Sequence, residues 1–418
     1  MIIKTYTFEF LKDKIGYLLF LTCVLLPFSF QLSTIFFVLF SVSSFLLCIN
    51  EKRARIKITD ILKLPSTLFF LALIGMFFSN YKDDAVNLLI KYLPYLMISV
   101  SFFVASKNLK QIAHKYIYLG VVLGVIVVNT YLFFLIFYKF SINNEANYFN
   151  IFSHKYTYNS FLRPIDSHPT YLGLLFIMSN FFVFRIKLKK GLKLAILFFN
   201  ICGIFFISSK VITVLFLIQG LLFFFLIPQK KIKILILFFG IFLLIIVSFL
   251  YKNNYKDFHF LQRFTVELMW DLDPANVNTS INGRIKNDSR LARWEVIVEK
   301  AEESILFGYG SGSEMAILDE VYLKNNLLNS LSERYNTHNQ YLFLIIENGI
   351  FGLMIFIYML YLLIKEAFKK QDYVVLFYVF SVFLICFFEN YFNRTMGVLA
   401  SSIFLTYLRS DEKNYFNF

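Results

Sequence analysis

His338 and Asn339 close a long water-soluble stretch, from about residue 251 to 337, at the mouth of the next apolar run. Imidazole exchanges a proton near neutral pH, so a histidine at such a boundary is a candidate general base. Within the same stretch, Asp288 or Ser289 suits the N-cap of a helix running through Arg290-Leu291-Ala292-Arg293-Trp294 to about Ser304. Its apolar stripe reads Leu291, Trp294, Val298 and Ala301, and such a helix would lie along a membrane surface with Trp294 at head-group level. Arg290 and Trp294, four apart, share a face, so Arg290 can be aimed at a phosphate while Arg293 falls on a neighbouring face.

Each of these residues also has a plainer reading. A lone histidine at a helix entrance is more often structural than catalytic. The setting of His338 argues for more, because Lys210 and Arg290 are expected on the same side of the membrane, with Glu347 and Arg394 near in depth. Lys210 follows Ser208-Ser209 between two strongly apolar runs. A cation there faces a polar cavity or a partner, or else it snorkels to water. His168 precedes Pro169 at another helix entrance, where it either satisfies a backbone carbonyl or touches substrate. Arg163 lies in the same outward loop. His154, Asp166 and His168 are oxygen and imidazole donors, but their spacing matches no ligand motif, so no metal site is assigned. Gly308-Tyr309-Gly310-Ser311-Gly312 follows a helix and lacks a phosphate-loop lysine, so it reads as a helix stop and flexible turn. Gly349 and Gly352 fall on one face of the next apolar helix, where small residues let a neighbouring helix approach.

The elements that must position these residues are membrane helices. Hydrophobic residues make up 58% of the chain and charged ones only 16%, too few for an ordinary soluble surface. Apolar runs recur near 15–30, 32–49, 62–79, 87–105, 116–138, 168–185, 193–208, 211–227, 232–250, 338–364, 373–389 and 394–408. Each is long enough to cross roughly 30 Å of hydrocarbon as a helix. Alternate loops carry the cations: Lys4, Lys12 and Lys14; Lys52 to Lys57; Lys107 to Lys115; Arg185 to Lys193; Lys230 to Lys233; Lys365 to Lys370; and Arg409 with Lys413. The positive-inside rule then puts both termini in the cytoplasm and residues 251–337 on the opposite face. The expected architecture is an all-α integral membrane protein of about twelve transmembrane helices with one large, partly helical periplasmic loop. It divides into a nine-helix region (1–250), the loop domain (251–337) and a three-helix region (338–418). The net charge of +14 lies in short turns that meet anionic lipid head groups, which leaves no case for nucleic acid. All four cysteines lie inside apolar runs, so no disulfide framework is implied.

On these residues the chain resembles the O-antigen ligase and polymerase superfamily of bacterial envelope glycosyltransferases. The ligase signature of that family is His, then Asn, Ser or Gln, nine residues, Gly, two residues, and Gly, Thr or Tyr. His338-Asn339 with Gly349 and Gly352 fits it in full. Arg290 to Trp294 looks like the family's Arg-x-x-x-Trp element, and Gly308-Tyr309-Gly310 looks like the Gly-x-Gly that follows it. Ser209-Lys210 matches the family's Ser-Arg, with Lys in place of Arg.

The resemblance implies an inner-membrane enzyme that takes a glycan from an undecaprenyl diphosphate carrier on the periplasmic face. The glycan passes to an acceptor hydroxyl, that of lipid A-core in a ligase, with inversion at the sugar carbon and without nucleotide sugar, cofactor or metal. His338 then acts as the base, while Arg290 and Lys210 bind the diphosphate. Arg394 or Arg163 can supply the guanidinium that Lys210 lacks; Asn339, Trp294 and His168 are further candidate contacts. A polymerase would differ only in acceptor, and a polysaccharide transporter or flippase is the reading from another class.

Overall fold

The computed structural model describes residues 2–48, 62–104, 107–143, 148–226, 258–278, 280–281, 284–285 and 288–408. The expected ninth span at 232–250, and the basic groups at 52–57, 230–233 and 409–413, lie outside the described residues. In chain order the principal helices are α1 (Ile2–Leu25), α2 (Phe30–Cys48), α3 (Ser66–Phe78), α4 (Lys82–Val104), α5 (Lys107–Ile142), α6 (Pro169–Arg185), α7 (Lys190–Ile207) and α8 (Lys210–Leu226). They continue with α9 (His259–Phe264), α10 (Val266–Asp271), α11 (Arg290–Glu302), α12 (Glu314–Lys324), α13 (Gln340–Lys370), α14 (Tyr373–Ile385) and α15 (Thr395–Tyr407). Between α10 and α11, Ser280–Ile281 pairs antiparallel with Arg284–Ile285. The fold is all-α in substance.

Among the described residues, four helices are long and apolar enough to cross a membrane: Lys82–Phe103, Ala113–Ile142, Lys190–Ile207 and Gln340–Lys370. Seven further apolar helices are 10–17 residues long. At 1.5 Å per residue, a helix of thirteen residues such as α3 rises only about 20 Å, short of the hydrocarbon thickness. The count of twelve therefore rests on the charge pattern, not on helix length.

Contacts divide the chain into two compact units, Met1–Thr22 with Thr34–Tyr116 and Met269–Asn414, and Cys23–Ser33 with Ile117–Leu268 and Tyr415–Phe418. In the second, α6 is buried along its length and packs on α7 and α8. A polar ladder links the three helices. Asn200 donates to Asn180 and Ser179, Asn180 donates to Gln219, and Gln219 donates to the Ile177 carbonyl, at 2.8–3.1 Å. Lipid-tail surroundings offer no hydrophobic gain for helix association, so such bonds specify which helices meet. α7 stops where Ser208 takes a left-handed conformation (φ +48°), and Lys210 starts α8 two residues later.

In the first unit, α4 packs between α3 and α15, and α13 packs on α14 and α3. The segment from 288 to 337 has its own apolar centre of Ile297, Ala301, Ile317, Leu318, Val321, Tyr322 and Leu327, closed by Leu342 and Ile346 of α13. This placement corrects the expected stripe of α11. Arg293, Ile297 and Ala301 are its buried line, whereas Val298 is 46% exposed and Leu291 only half-buried. The helix turns its residues toward α12 and α13, because those supply the apolar partners.

α13 is broken at Gly349, whose φ of +65° and ψ of −168° leave the helical region. The backbone of Leu306 lies where a Cβ on Gly349 would stand. Segment 305–312 enters the break and bonds the groups it frees. Tyr309 N donates to Ile346 O at 2.7 Å, Gly310 N to Glu347 O at 3.0 Å, and Ile350 N to Ile305 O at 2.8 Å. Gly349 thus admits an incoming chain, not a neighbouring helix as expected, and a Cβ on Gly352 would abut Asn348 of its own helix. The glycine-rich segment does follow the end of α11, yet it is wedged rather than flexible. Gly308, Gly310 and Gly312 all have positive φ, and a Cβ on Gly308 would come 2.6 Å from the Ile346 carbonyl oxygen. The nine residues between Asn339 and Gly349 are therefore one half-helix with a cap at one end and a break at the other.

Candidate functional site

α13 begins at Gln340, not at 338, because Asn339 caps it: its side-chain oxygen accepts from Tyr341 N and Leu342 N at 3.0 and 3.2 Å. His338 is left just outside the helix with φ +45°, a conformation uncommon for a residue with a side chain. Its backbone N–H donates to Asn336 Oδ1 at 3.0 Å. Trp294 of α11 donates from Nε1 to the Thr337 carbonyl at 2.9 Å, so the indole anchors the chain beside the histidine.

The ring of His338 meets a carboxylate that the sequence reading passed over. Nδ1 lies 3.3 Å from Glu389 Oε2, and since a carboxylate only accepts, Nδ1 carries the proton and Nε2 presents its lone pair. The other oxygen, Oε1, lies 3.7 Å from Arg290 Nη2, while Arg290 Nη1 donates to the Phe388 carbonyl at 3.2 Å. Glu389 itself is buried, whereas the side chains of His338 and Arg290 keep 17% and 25% of their surface. One acid thus orients an imidazole and a guanidinium together.

Burial lowers the pKa of His338 below its ordinary 6.5, Glu389 opposes that shift, and the cations Arg293 and Arg290 reinforce it. At neutral pH the imidazole is therefore the neutral, proton-accepting form. Arg293 is buried with its guanidinium 5.1 Å from the centre of the Tyr335 ring, and that ring is 5.8 Å from the His338 ring. It contributes charge from behind the histidine.

Of the residues singled out in the sequence, His338, Arg290, Asn339 and Trp294 come together here. Asn339 and Trp294 do so as a cap and an anchor. Arg394 is exposed at the start of α15, at the end of the same connecting segment that carries Glu389. Lys210, Arg163 and His168 belong to the second unit. There Lys210 is the first residue of α8 and half-buried, and Arg163 is exposed on a single 3-10 turn. His168 caps α6, its Nδ1 accepting from Thr170 N at 3.3 Å.

The second unit also holds residues that the sequence reading missed. His259 is buried with Nδ1 2.8 Å from Thr157 Oγ1 and Nε2 3.6 Å from Glu267. Arg263 donates to the Ser208 carbonyl at 3.3 Å and to Glu267 at 2.6 Å. A carboxylate at the end of an apolar run was the available signal for Glu389, since ionisable groups at membrane depth are expensive to keep.

Residues 195–357 match the family model described as O-antigen ligase. The match takes in Lys210, Arg290, His338, Gly349 and Gly352, and ends before Glu389 and Arg394. No curated protein matches the chain.

Proposed function

From the match of residues 195–357 to the O-antigen ligase family model, we propose that the chain is a ligase-type glycosyltransferase acting at the periplasmic face of the bacterial inner membrane. It moves a glycan from undecaprenyl diphosphate to an acceptor hydroxyl, that of lipid A-core. The observation that carries this reading is Glu389 shared between His338 and Arg290, which puts an oriented, neutral base beside a partly open guanidinium.

The chemistry follows from those groups. His338 Nε2 takes the acceptor's hydroxyl proton as the oxygen attacks the sugar's anomeric carbon. The bond from that carbon to the phosphate oxygen breaks on the opposite face, so the configuration inverts and the electron pair leaves with the diphosphate. Proton transfer of this kind contributes about 10²–10⁴ in rate. Glu389 holds the imidazole in the correct tautomer and stabilises the imidazolium that forms. Arg290 neutralises charge growing on the leaving diphosphate, a contribution of about 3–4 kcal/mol for a fixed donor in a dry site. Lys210 enters only through the family resemblance, as a candidate phosphate contact that lacks the two parallel bonds a guanidinium offers. Arg394, in the same unit as His338, is the candidate for a further donor.

The test is the gel profile of lipopolysaccharide from a strain lacking this gene, complemented with the wild type or with His338→Ala. The ligase reading expects core bearing no O-antigen in the deletion and in His338→Ala, with long chains retained on the lipid carrier. Core capped by a single repeat unit would instead mean a polymerase, whose acceptor is another lipid-linked glycan. An unchanged profile would overturn both.

A further inference from the structure

The reactive histidine is held from both sides by one buried acid that plays no part in the chemistry above. Glu314 opens α12 and is 6% exposed. Its Oε1 accepts from Thr337 N at 3.0 Å, from Thr337 Oγ1 at 2.9 Å and from Asn390 Nδ2 at 2.8 Å. Asn390 in turn accepts through Oδ1 from Asn339 N at 2.9 Å. Thr337 and Asn339 are the neighbours of His338 on either side, and Asn390 follows Glu389. A single carboxylate oxygen therefore fixes the backbone before the histidine, the backbone after it, and the segment that carries its acid partner.

We infer that Glu314 is a positioning residue for His338: it clamps Thr337 directly and Asn339 through Asn390, and so keeps the imidazole on Glu389. The inference rests on the reading of His338 as the reactive base. A left-handed conformation at a residue other than glycine is strained and persists only where its surroundings over-determine it. The clamp supplies that determination, since His338 itself makes only the Asn336 contact through its backbone N–H. Burial raises the pKa of Glu314, while the donors on Thr337 and Asn390, and the charge of Lys91, pull it back down. The same donors that lower it are the groups it holds.

The experiment reads His338 without needing the sugar substrate. The full chain in membranes is treated with diethyl pyrocarbonate, and the labelling of each histidine is followed by mass spectrometry across pH. His154 and His168, in the other unit, serve as internal controls. Glu314→Ala leaves two buried donors, Thr337 N and Asn390 Nδ2, without an acceptor, while the Thr337 hydroxyl can turn to Asn390 Oδ1 or Asn339 O, and labelling of His338 is expected to rise about tenfold with the controls unchanged. The pH midpoint of that labelling should move up toward about 6.5 as the ring leaves its buried setting. Glu314→Gln keeps an acceptor oxygen in place and should stay within about threefold of wild type.

Unchanged labelling and midpoint in Glu314→Ala would overturn the inference. So would a glutamine variant as reactive as the alanine one, because charge rather than the held backbone would then carry the effect. If Glu314→Ala fails to fold, Thr337→Val removes one of the three donors, and a rise of about threefold is expected. No rise in that variant counts against the clamp. Glycan transfer surviving His338→Ala would remove the base reading while leaving the labelling result intact, so the two failures are distinguishable.

Discussion

Each of the two units sets a histidine beside a glutamate and an arginine, and they differ in what is left open. In the first, Glu389 reaches His338 and Arg290 at 3.3 and 3.7 Å, and both of those side chains keep part of their surface. In the second, His259 is 2% exposed and engaged by Thr157, while Glu267 lies 2.6 Å from Arg263. The Arg263 guanidinium also lies 3.7 Å from the centre of the Tyr158 ring. An acid bonded that closely to an arginine, itself laid on an aromatic face, has little capacity for a ligand. The backbones differ too: His259 begins an ordinary helix, whereas His338 stands at φ +45°. The two groups share a composition; on the proposed reading, the oriented lone pair of His338 and the accessible guanidinium of Arg290 set the first apart.

The largest effect should come from His338→Ala, which removes the base. Transfer to acceptor should fall by about 10²–10⁴ with the protein still folded, measured as glycan-bearing product per enzyme in membranes. A near-normal rate would sink the base assignment and erase the distinction between the two histidines. Arg290→Ala comes next, with a loss of roughly 10²–10³. Arg290→Lys should recover only part of it, because an ammonium cannot make the parallel pair of bonds. Full recovery by lysine would mean that charge alone is needed.

The contrast sharpens through pH. A base with a lowered pKa is neutral at pH 7, so the rate should be flat around neutrality and fall only as pH drops through a value below 6.5. Glu389 is the group that raises the pKa of His338, so Glu389→Gln should move that acid limb lower still while reducing the plateau by about tenfold or more. A limb that moves upward would show that Glu389 does not stabilise the imidazolium. The smallest effect belongs to the second unit. Thr157→Val should lower stability by about 1–3 kcal/mol in thermal unfolding, since buried His259 loses its partner, with transfer unchanged. Lost transfer in a stable Thr157→Val protein would reverse the comparison.

Much of this was legible in the residues. Helix positions followed from apolar runs, and the break at Ser208-Ser209 fell where expected. Ser289 caps α11 as its type suggests, accepting from Ala292 N at 3.1 Å. Where the reading failed, a tertiary partner decided. The stripe of α11 shifted to Arg293, Ile297 and Ala301 because α12 and α13, distant in sequence, pack on that side. The glycine-rich segment reads as a flexible turn from sequence because nothing local reveals that it fills the break at Gly349.

By itself, the sequence determined that the chain is a bundle of apolar helices, that His338, Asn339, Gly349 and Gly352 form one spaced unit, and that Arg290 opens a helix. These are short-range properties: hydrophobic run length, capping and helical period act between residues a few positions apart. The tertiary structure alone decided that Glu389, 51 positions beyond His338, orients its ring, and that Glu314, 23 positions before Thr337, holds the chain beside it. Hydrogen bonds and desolvation depend on which groups meet in space, and no spacing rule connects residues joined only by the packing of helices between them.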